Sequence, residues 1–254
     1  MAPVSDRHIA IAGTSSTAWA SWLDSSVARC TVDLNQLLPA SGRLVVVAPH
    51  PDDEVLTCGG LLQLHASRGG DCRIVIVTDG EASHGPASVE TREALGRLRR
   101  NESDAGIARL GLAGDVAVRL GLPDGGLHAA QGALAAALAP LVRAGDCIVS
   151  TWHLDGHPDH ETVGEVAQRV AATVGASYAS APVWMWHWAE RGDPRIPWQD
   201  LRALPLDQAN VDRKLSALFE HRSQFVDRDG HDTGAVLDRP ILQRAAWPKE
   251  YFFV

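Results

Sequence analysis

Two short segments of the 254-residue chain combine imidazole and carboxylate groups at spacings that suit a metal ion. The first, at 49–54, reads PHPDDE, and the second, at 156–160, reads GHPDH. Such ligands suit Zn²⁺ and its divalent neighbours, and a catalytic zinc normally has three protein ligands and one position for water. His50, Asp53 and His160 would supply a set of this kind.

A spare carboxylate lies beside the first pair of candidate ligands. His50 and Asp53 are three residues apart where a loop is expected to enter a helix, so their side chains can point at one spot. The adjacent Asp52 must point elsewhere, which leaves it free to act as a base on water. The pattern therefore indicates hydrolysis by a metal-activated water.

The same residues also have a purely structural interpretation. Carboxylates after a proline are typical of a helix N-terminus, where they cap exposed amides and favour the positive end of the helix dipole. Either segment alone would fit this interpretation better. The presence of both segments at predicted strand ends favours the metal site.

From residue 44 the chain alternates short β-branched runs with longer segments of helical spacing, the pattern of βαβ units. We predict strands at Leu44–Ala48, Arg73–Thr78, Asp115–Leu120 and Cys147–Thr151, and helices at Val55–Ala66, Val89–Leu110, Leu127–Val142 and after His160. Continuous apolar strands with crossover helices predict a three-layer α/β sandwich around a mostly parallel, Rossmann-like sheet. Ligands bind such sheets outside the carboxyl ends of the strands, where both metal-binding segments would lie.

The two ends of the chain do not follow this pattern. We expect residues 1–40 to be an N-terminal extension packed on the core, and residues 41–254 to form the main domain. Residues 183–188, VWMWHW, are predicted to form a tryptophan-rich strand, followed by a helix from Gln208 to His221 and an irregular tail.

Charge and hydropathy exclude several classes of partner. The formal net charge of −8 repels phosphate backbones, so no nucleic-acid partner is expected. No apolar run approaches the roughly 20 residues of a membrane helix, so we expect a soluble, cytoplasmic protein with no membrane insertion. Oligomeric state cannot be read from this composition.

With these motifs in place, the chain resembles the LmbE-like or PIG-L family of zinc-dependent N-deacetylases, which act on N-acetylglucosaminyl conjugates. The resemblance rests on APHPDDE at 48–54 with Gly59-Gly60, and on GHPDH at 156–160. Supporting matches are TDGE at 78–81, LGLPD at 120–124 and HRSQ at 221–224. It implies the deacetylase fold of that family and a Zn²⁺ cofactor, although Fe²⁺ and Co²⁺ suit the same ligands.

The resemblance also implies roles for individual residues. His50, Asp53 and His160 match the zinc ligands, and Asp52 matches the general base. His157 matches the histidine that faces the developing oxyanion, and Asp159 the carboxylate that orients it. Arg99 and Asp124 match substrate-binding residues. The general acid, Asp52 or His157, stays open.

Other polar residues near the predicted strand ends have less defined roles. Asp79, with Glu81 and His84, follows the second strand and is placed to line the substrate rim, although turn chemistry alone also selects Asp79-Gly80. His153 or Asp155 could orient a ligand histidine from behind. His187 could line a platform for a sugar, and a core strand rich in tryptophan explains it equally well.

We predict removal of an N-acyl group, N-acetyl above all, from a small-molecule amino-sugar conjugate. A related zinc amidase acting on another amide, such as a thiol conjugate, uses the same ligands. A non-catalytic α/β binding protein is a further alternative, which the complete ligand and base set disfavours. A nucleotide-binding module would need a glycine-rich phosphate loop where PHPDDE stands.

Overall fold

The computed structural model describes residues 7, 9, 13–26, 31–39, 41–85, 87–112, 114–226 and 235–254. Its centre is a seven-stranded sheet with the order β3-β2-β1-β4-β5-β7-β6. Neighbouring strands are parallel from β3 to β5, while β7 is antiparallel to both β5 and β6. The strands are β1 Leu44–Ala48, β2 Cys72–Thr78, β3 Ala117–Leu122, β4 Cys147–Thr151, β5 Ser177–Ala181, β6 Leu201–Pro205 and β7 Lys249–Phe253.

Helices cover both faces of the sheet. They are α1 Ser16–Ser26, α2 Leu34–Leu37, α3 Asp53–Ser67, α4 Val89–Arg109, α5 Gln131–Leu138, α6 Pro158–Val174, α7 Met185–Trp188, α8 Gln208–Leu218 and α9 Arg239–Ala245. Among the described residues, none of these helices is long and apolar enough to cross a lipid bilayer.

The strands alternate their side chains between two apolar layers. In β1, Leu44 and Val46 pack into the layer that holds α3 and α8, while Val45 and Val47 pack into the layer that holds α5 and α6. All of these β1 side chains are buried, as expected for a parallel strand covered on both faces. The predicted three-layer α/β sandwich with a mostly parallel sheet is confirmed.

The strand order places the candidate site at a topological switch point. The chain moves outward from β1 through β2 to β3, then returns to pair β4 with β1, with Leu44 opposite Cys147. Strands β1 and β4 therefore end side by side, and the loops after them diverge to opposite faces. Open α/β sheets bind their ligands in this crevice.

Two predictions about the C-terminal third are wrong. The segment Val183–Trp188 is not a strand, because Met185–Trp188 form the short helix α7. The tail is not irregular, because it contains α9 and the strand β7, which lies in the sheet between β5 and β6. Smaller differences are a shift of β3 to Ala117–Leu122 and a helix α5 confined to Gln131–Leu138.

The described part of residues 1–40 packs on the sheet near its antiparallel end. Trp19 of α1 is fully buried and donates its indole N–H to the carbonyl of Trp186 at 3.0 Å. Its ring meets Trp186 edge to face with centroids 5.2 Å apart, a favourable arrangement for aromatic pairs. Residues 1–6, 8, 10–12, 27–30 and 40 lie outside the described residues, so the boundary at residue 41 stays a prediction.

Candidate active site

The loops after β1 and β4 bring three histidines together at the switch point. The ring centroids of His50 and His160 lie 5.4 Å apart, and the ring of His157 lies 5.1 Å from His50 and 4.7 Å from His160. His50 follows β1, and His157 caps the N-terminus of α6, the helix that begins after the β4 loop. The convergence expected from the two motifs is therefore present.

Three buried side chains present ligand atoms to one point. The Oδ2 atom of Asp53 lies 3.1 Å from Nδ1 of His50 and 3.3 Å from Nε2 of His160. Ligand atoms bound at about 2.0–2.1 Å to a tetrahedral Zn²⁺ lie about 3.3 Å apart, so these two distances suit a divalent ion. The three side chains thus form a candidate His/Asp metal site.

A carboxylate behind His160 fixes the orientation of that ring. Asp155 Oδ2 lies 2.8 Å from Nδ1 of His160, which leaves Nε2 on the side of Asp53. The Asp155 carboxylate also accepts backbone N–H groups from Val183, Trp184 and Met185 at 2.8–3.1 Å. The sequence offered His153 and Asp155 as residues that could orient a ligand histidine, and the structure places Asp155 in this position.

His50 has carboxylates behind its other ring nitrogen as well. Its Nε2 lies 3.2 Å from Asp124 Oδ1 and 3.4 Å from Asp159 Oδ2. The Asp159 carboxylate accepts backbone N–H groups from Gly125 and Leu127, and the second oxygen of Asp124 accepts one from Ala82. Asp124, predicted to contact substrate, therefore contacts a candidate ligand histidine.

The surrounding carboxylates favour positive charge at the two histidines. Burial opposes protonation of His50, but its hydrogen bonds with Asp124, Asp159 and Asp53 outweigh burial and raise its pKa well above the ordinary value. Burial likewise opposes the charge on His160, while Asp53 and Asp155 raise its pKa to about 9. A site that attracts protons this strongly also suits a cation that replaces them.

Asp52 is buried next to this cluster in an unusual backbone conformation. Its φ of 125° makes it the one non-glycine residue with positive φ among the described residues. Such a conformation costs about 1–3 kcal/mol and clusters at functional sites. Burial and the neighbouring charges of Asp53 and Glu54, opposed by Arg99 and His50, raise the pKa of Asp52 to about 7. A base with a pKa near neutrality is suited to proton transfer.

His157 is oriented by Asp159, but through the backbone. Nδ1 of His157 accepts the N–H of Asp159 at 3.2 Å, so in the neutral ring Nε2 carries the proton and is a donor. Burial and the charges of His160 and His50 lower the pKa of His157 to about 3. The Asp159 carboxylate, predicted to orient His157, contacts His50 and the Gly125 loop instead.

The predicted substrate residues on and near α4 form ion pairs. Arg99 is only 2% exposed, and its Nη atoms donate to the carbonyls of Gly80 and Pro51 and to Asp52. Asp79 pairs with the half-exposed Arg100, with 2.8 Å between Asp79 Oδ2 and Arg100 Nη2. The structure therefore places Arg99 behind the candidate base, while Asp79 lies at the margin of the site.

Two further buried side chains, Glu54 and Ser103, contact the candidate site and were not predicted from the sequence. Glu54 accepts the backbone N–H of Asp52 at 2.9 Å and the hydroxyl of Ser103 at 2.7 Å. Glu54 was visible in the first motif as its last residue. Ser103 carried one signal, its place one helical turn after Arg99 on α4.

A family model described as PIG-L, GlcNAc-PI de-N-acetylase, matches residues 45–171, which is half of the chain and includes both the PHPDDE and the GHPDH segments. The chain belongs to the PIG-L family. Its α/β fold, with the candidate site at the switch point, is the fold of solved deacetylases of this kind.

Individual relatives and structures agree with the PIG-L assignment. A 1D-myo-inositol 2-acetamido-2-deoxy-alpha-D-glucopyranoside deacetylase from Mycobacterium sp. is 36% identical over 31% of this chain and 27% of its own length. One from Rhodococcus erythropolis is 30% identical over 70% of this chain and 66% of its own. The N,N'-diacetylchitobiose deacetylase structure from Pyrococcus horikoshii has a TM-score of 0.60 and 19% identity, covering 93% of this chain and 91% of that one.

Proposed function

We propose that this protein is a metal-dependent hydrolase that removes an N-acyl group, preferentially N-acetyl, from a conjugate of N-acetylglucosamine. The observation that carries the proposal is the shared Asp53 oxygen, which lies within 3.3 Å of a nitrogen of both His50 and His160. The buried carboxylate of Asp52 is close enough to interact with the charges of Asp53 and His50. Relatives named as deacetylases of a 2-acetamido-2-deoxy-glucopyranoside support an amino-sugar conjugate as the substrate class.

The cofactor in this proposal is one divalent ion, Zn²⁺ above all, with Fe²⁺ and Co²⁺ suited to the same nitrogen and oxygen donors. His50, Asp53 and His160 would hold it, and Asp124, Asp159 and Asp155 would orient the two imidazoles from behind. A divalent ion at this position supplies a water of lowered pKa and polarises the acyl carbonyl.

Residues of the chain carry out the proton transfers of the reaction. Asp52 accepts a proton from the attacking water as the water oxygen bonds to the acyl carbon. His157 donates a hydrogen bond from its Nε2–H to the carbonyl oxygen, which becomes negative as the tetrahedral centre forms, and keeps its proton. Breaking the carbon–nitrogen bond then requires one proton on the leaving nitrogen, which Asp52 returns, giving a free amine and a carboxylate.

The proposal is tested by amine release from a panel of N-acetylglucosamine conjugates, with and without a chelator. We expect release of one amine per acetate, loss of activity with the chelator, and recovery after Zn²⁺ is added back. The panel includes a cysteinyl amide as the thiol-conjugate alternative. Activity on that amide alone would reject the amino-sugar assignment, and activity unaffected by complete metal removal would reject the hydrolytic mechanism.

A further inference from the structure

We propose that Glu54, Ser103 and Arg99 hold Asp52 in its left-handed conformation and so act as positioning residues for the candidate base. We call these three residues the Asp52 clamp. The inference rests on the proposed function, because it assumes that Asp52 is the base. It goes beyond that function by assigning a role to residues outside the metal cluster.

The backbone of Asp52 would not adopt this conformation without support. A φ of 125° with ψ of −30° is a region that side chains with a Cβ rarely occupy. It separates the directions of two consecutive carboxylates, so that Asp53 faces the histidines while Asp52 faces Arg99. The strained backbone of Asp52 therefore separates the candidate base from the candidate ligand Asp53 that follows it.

The first half of the clamp holds the amide side of Asp52. The buried carboxylate of Glu54 accepts the N–H of Asp52 at 2.9 Å through Oε2. Its other oxygen accepts the hydroxyl of Ser103 at 2.7 Å. Glu54 and Ser103 are both fully buried, so water does not compete for these bonds.

The second half holds the peptide from the opposite side. Arg99 Nη2 donates to the carbonyl of Pro51 at 2.7 Å and to Asp52 Oδ2 at 3.2 Å. Its Nη1 donates to the carbonyl of Gly80 at 2.8 Å, which ties the guanidinium to the loop after β2. Three of the five guanidinium N–H donors of Arg99 are therefore used within the protein, and two of them hold the Pro51–Asp52 unit.

One helix supplies both halves of the clamp. Arg99 and Ser103 are four residues apart on α4 and so lie on the same face, one turn apart. The same turn of α4 is anchored separately, because Glu102 accepts the N–H and the hydroxyl of Ser223 at 2.8 and 2.6 Å. The position of α4 therefore sets the geometry at Asp52.

The test compares Glu54→Leu, Glu54→Gln and Ser103→Ala with the wild type. Leucine removes both contacts of Glu54, whereas glutamine can accept the Asp52 N–H and donate to Ser103. For Glu54→Leu we expect kcat to fall about 100-fold with KM within about twofold, the size of effect expected from a misplaced catalytic group. Ser103→Ala should lower kcat about tenfold, as for one lost bond to a charged group. Glu54→Gln should keep kcat within about threefold.

Two readouts separate positioning from a general loss of structure. Zinc content should equal the wild-type value in all variants, and crystal structures of Glu54→Leu and Ser103→Ala should show Asp52 relaxed to negative φ. Ser150→Ala, which removes an equally buried hydroxyl bonded to Tyr178 at 2.8 Å, should keep wild-type kcat.

Two results would overturn the clamp. One is a crystal structure of either variant in which Asp52 keeps a φ near 125°. The other is a raised KM with unchanged kcat in Glu54→Leu. If the wild type releases no amine from any substrate, the proposed function fails, and the φ of Asp52 in the variants still decides the clamp.

Discussion

Asp53 places one carboxylate oxygen between two imidazoles, and this single contact organises the site. Each imidazole is turned by carboxylates behind it, Asp155 behind His160, and Asp124 with Asp159 behind His50. Because a histidine whose far nitrogen is hydrogen-bonded presents its near nitrogen as a better ligand, these partners orient both imidazoles of the candidate metal site.

The first prediction at the residue scale concerns the base. Asp52→Asn removes the proton acceptor and keeps the shape of the side chain, so kcat should fall by about 10²–10⁴-fold. Bound metal should stay at the wild-type level, because Asp52 is not among the three candidate ligands. Steady-state kinetics with elemental analysis of the same preparation checks both. A kcat close to wild type would show that the base is another residue.

The second prediction at the residue scale concerns Asp155, which lies behind His160. Asp155→Asn weakens the acceptor that fixes the His160 tautomer, so affinity for Zn²⁺ should fall about 10–100-fold. Competition with a chromogenic chelator measures this affinity. Asp207→Asn is the matched control, because it changes a helix cap on α8 to an equally good one. Equal affinities in the two variants would mean that Asp155 serves only to hold α7.

At the scale of elements, the strands with continuous apolar runs could be predicted from the sequence. Strands β1 and β4 were predicted with correct bounds, because their burial on both faces requires the β-branched residues that the sequence displays. The candidate metal site could be predicted for the same reason, since PHPDDE directly follows β1 and GHPDH follows β4 after four intervening residues. The strand order that joins them could not, because it depends on packing of the whole sheet.

The helix α7 could not be predicted for a specific physical reason. Its aromatic residues favour a strand. The helical start is instead stabilised by Asp155, whose carboxylate accepts three N–H groups from Val183, Trp184 and Met185. This acceptor lies 28 to 30 residues earlier in the chain, so no local pattern records it.

An element-scale prediction concerns the start of the two strands that carry the site. Asp146, just before β4, accepts bonds from Arg43, just before β1, at 3.1 and 2.5 Å, and from the N–H of Arg143. Asp146→Asn should therefore lower the free energy of unfolding by about 2 kcal/mol at pH 7. Asp104→Asn, in an exposed pair with Arg119, should change it by less than about 1 kcal/mol.

The stabilisation by Asp146 should depend on pH in a definite direction. Burial opposes the charge on Asp146, but Arg43 and the Arg143 amide outweigh it and lower its pKa. The stability that Asp146 contributes is therefore complete above its unfolded pKa of about 3.9 and is lost as the pH falls through the lower folded value. In urea unfolding, the free energies of unfolding of wild type and Asp146→Asn should therefore approach each other as the pH falls below about 4. A difference that stays constant down to pH 2 would contradict this account.

At the scale of the molecule, the antiparallel end of the sheet completes the fold. Glu250 on β7 accepts the N–H groups of Gly60 and Leu61 on α3 at 2.7 and 2.8 Å and pairs with Lys214 on α8 at 2.7 Å. Strand β7 was not predicted because a glutamate such as Glu250 is usually exposed, so the sequence gives no sign that it is buried. Its partners lie far away along the chain, and they connect the C-terminal strand to the helix that begins at the candidate ligand Asp53.

The position of the bound ion tests the central claim most directly. We expect anomalous X-ray diffraction from crystals soaked in Zn²⁺ to show one ion bound by Nδ1 of His50, Oδ2 of Asp53 and Nε2 of His160, at about 2.0–2.2 Å from each. An ion on the other side of His50, bound by its Nε2 with Asp124 and Asp159, or no ion within reach of Asp53, would contradict the account.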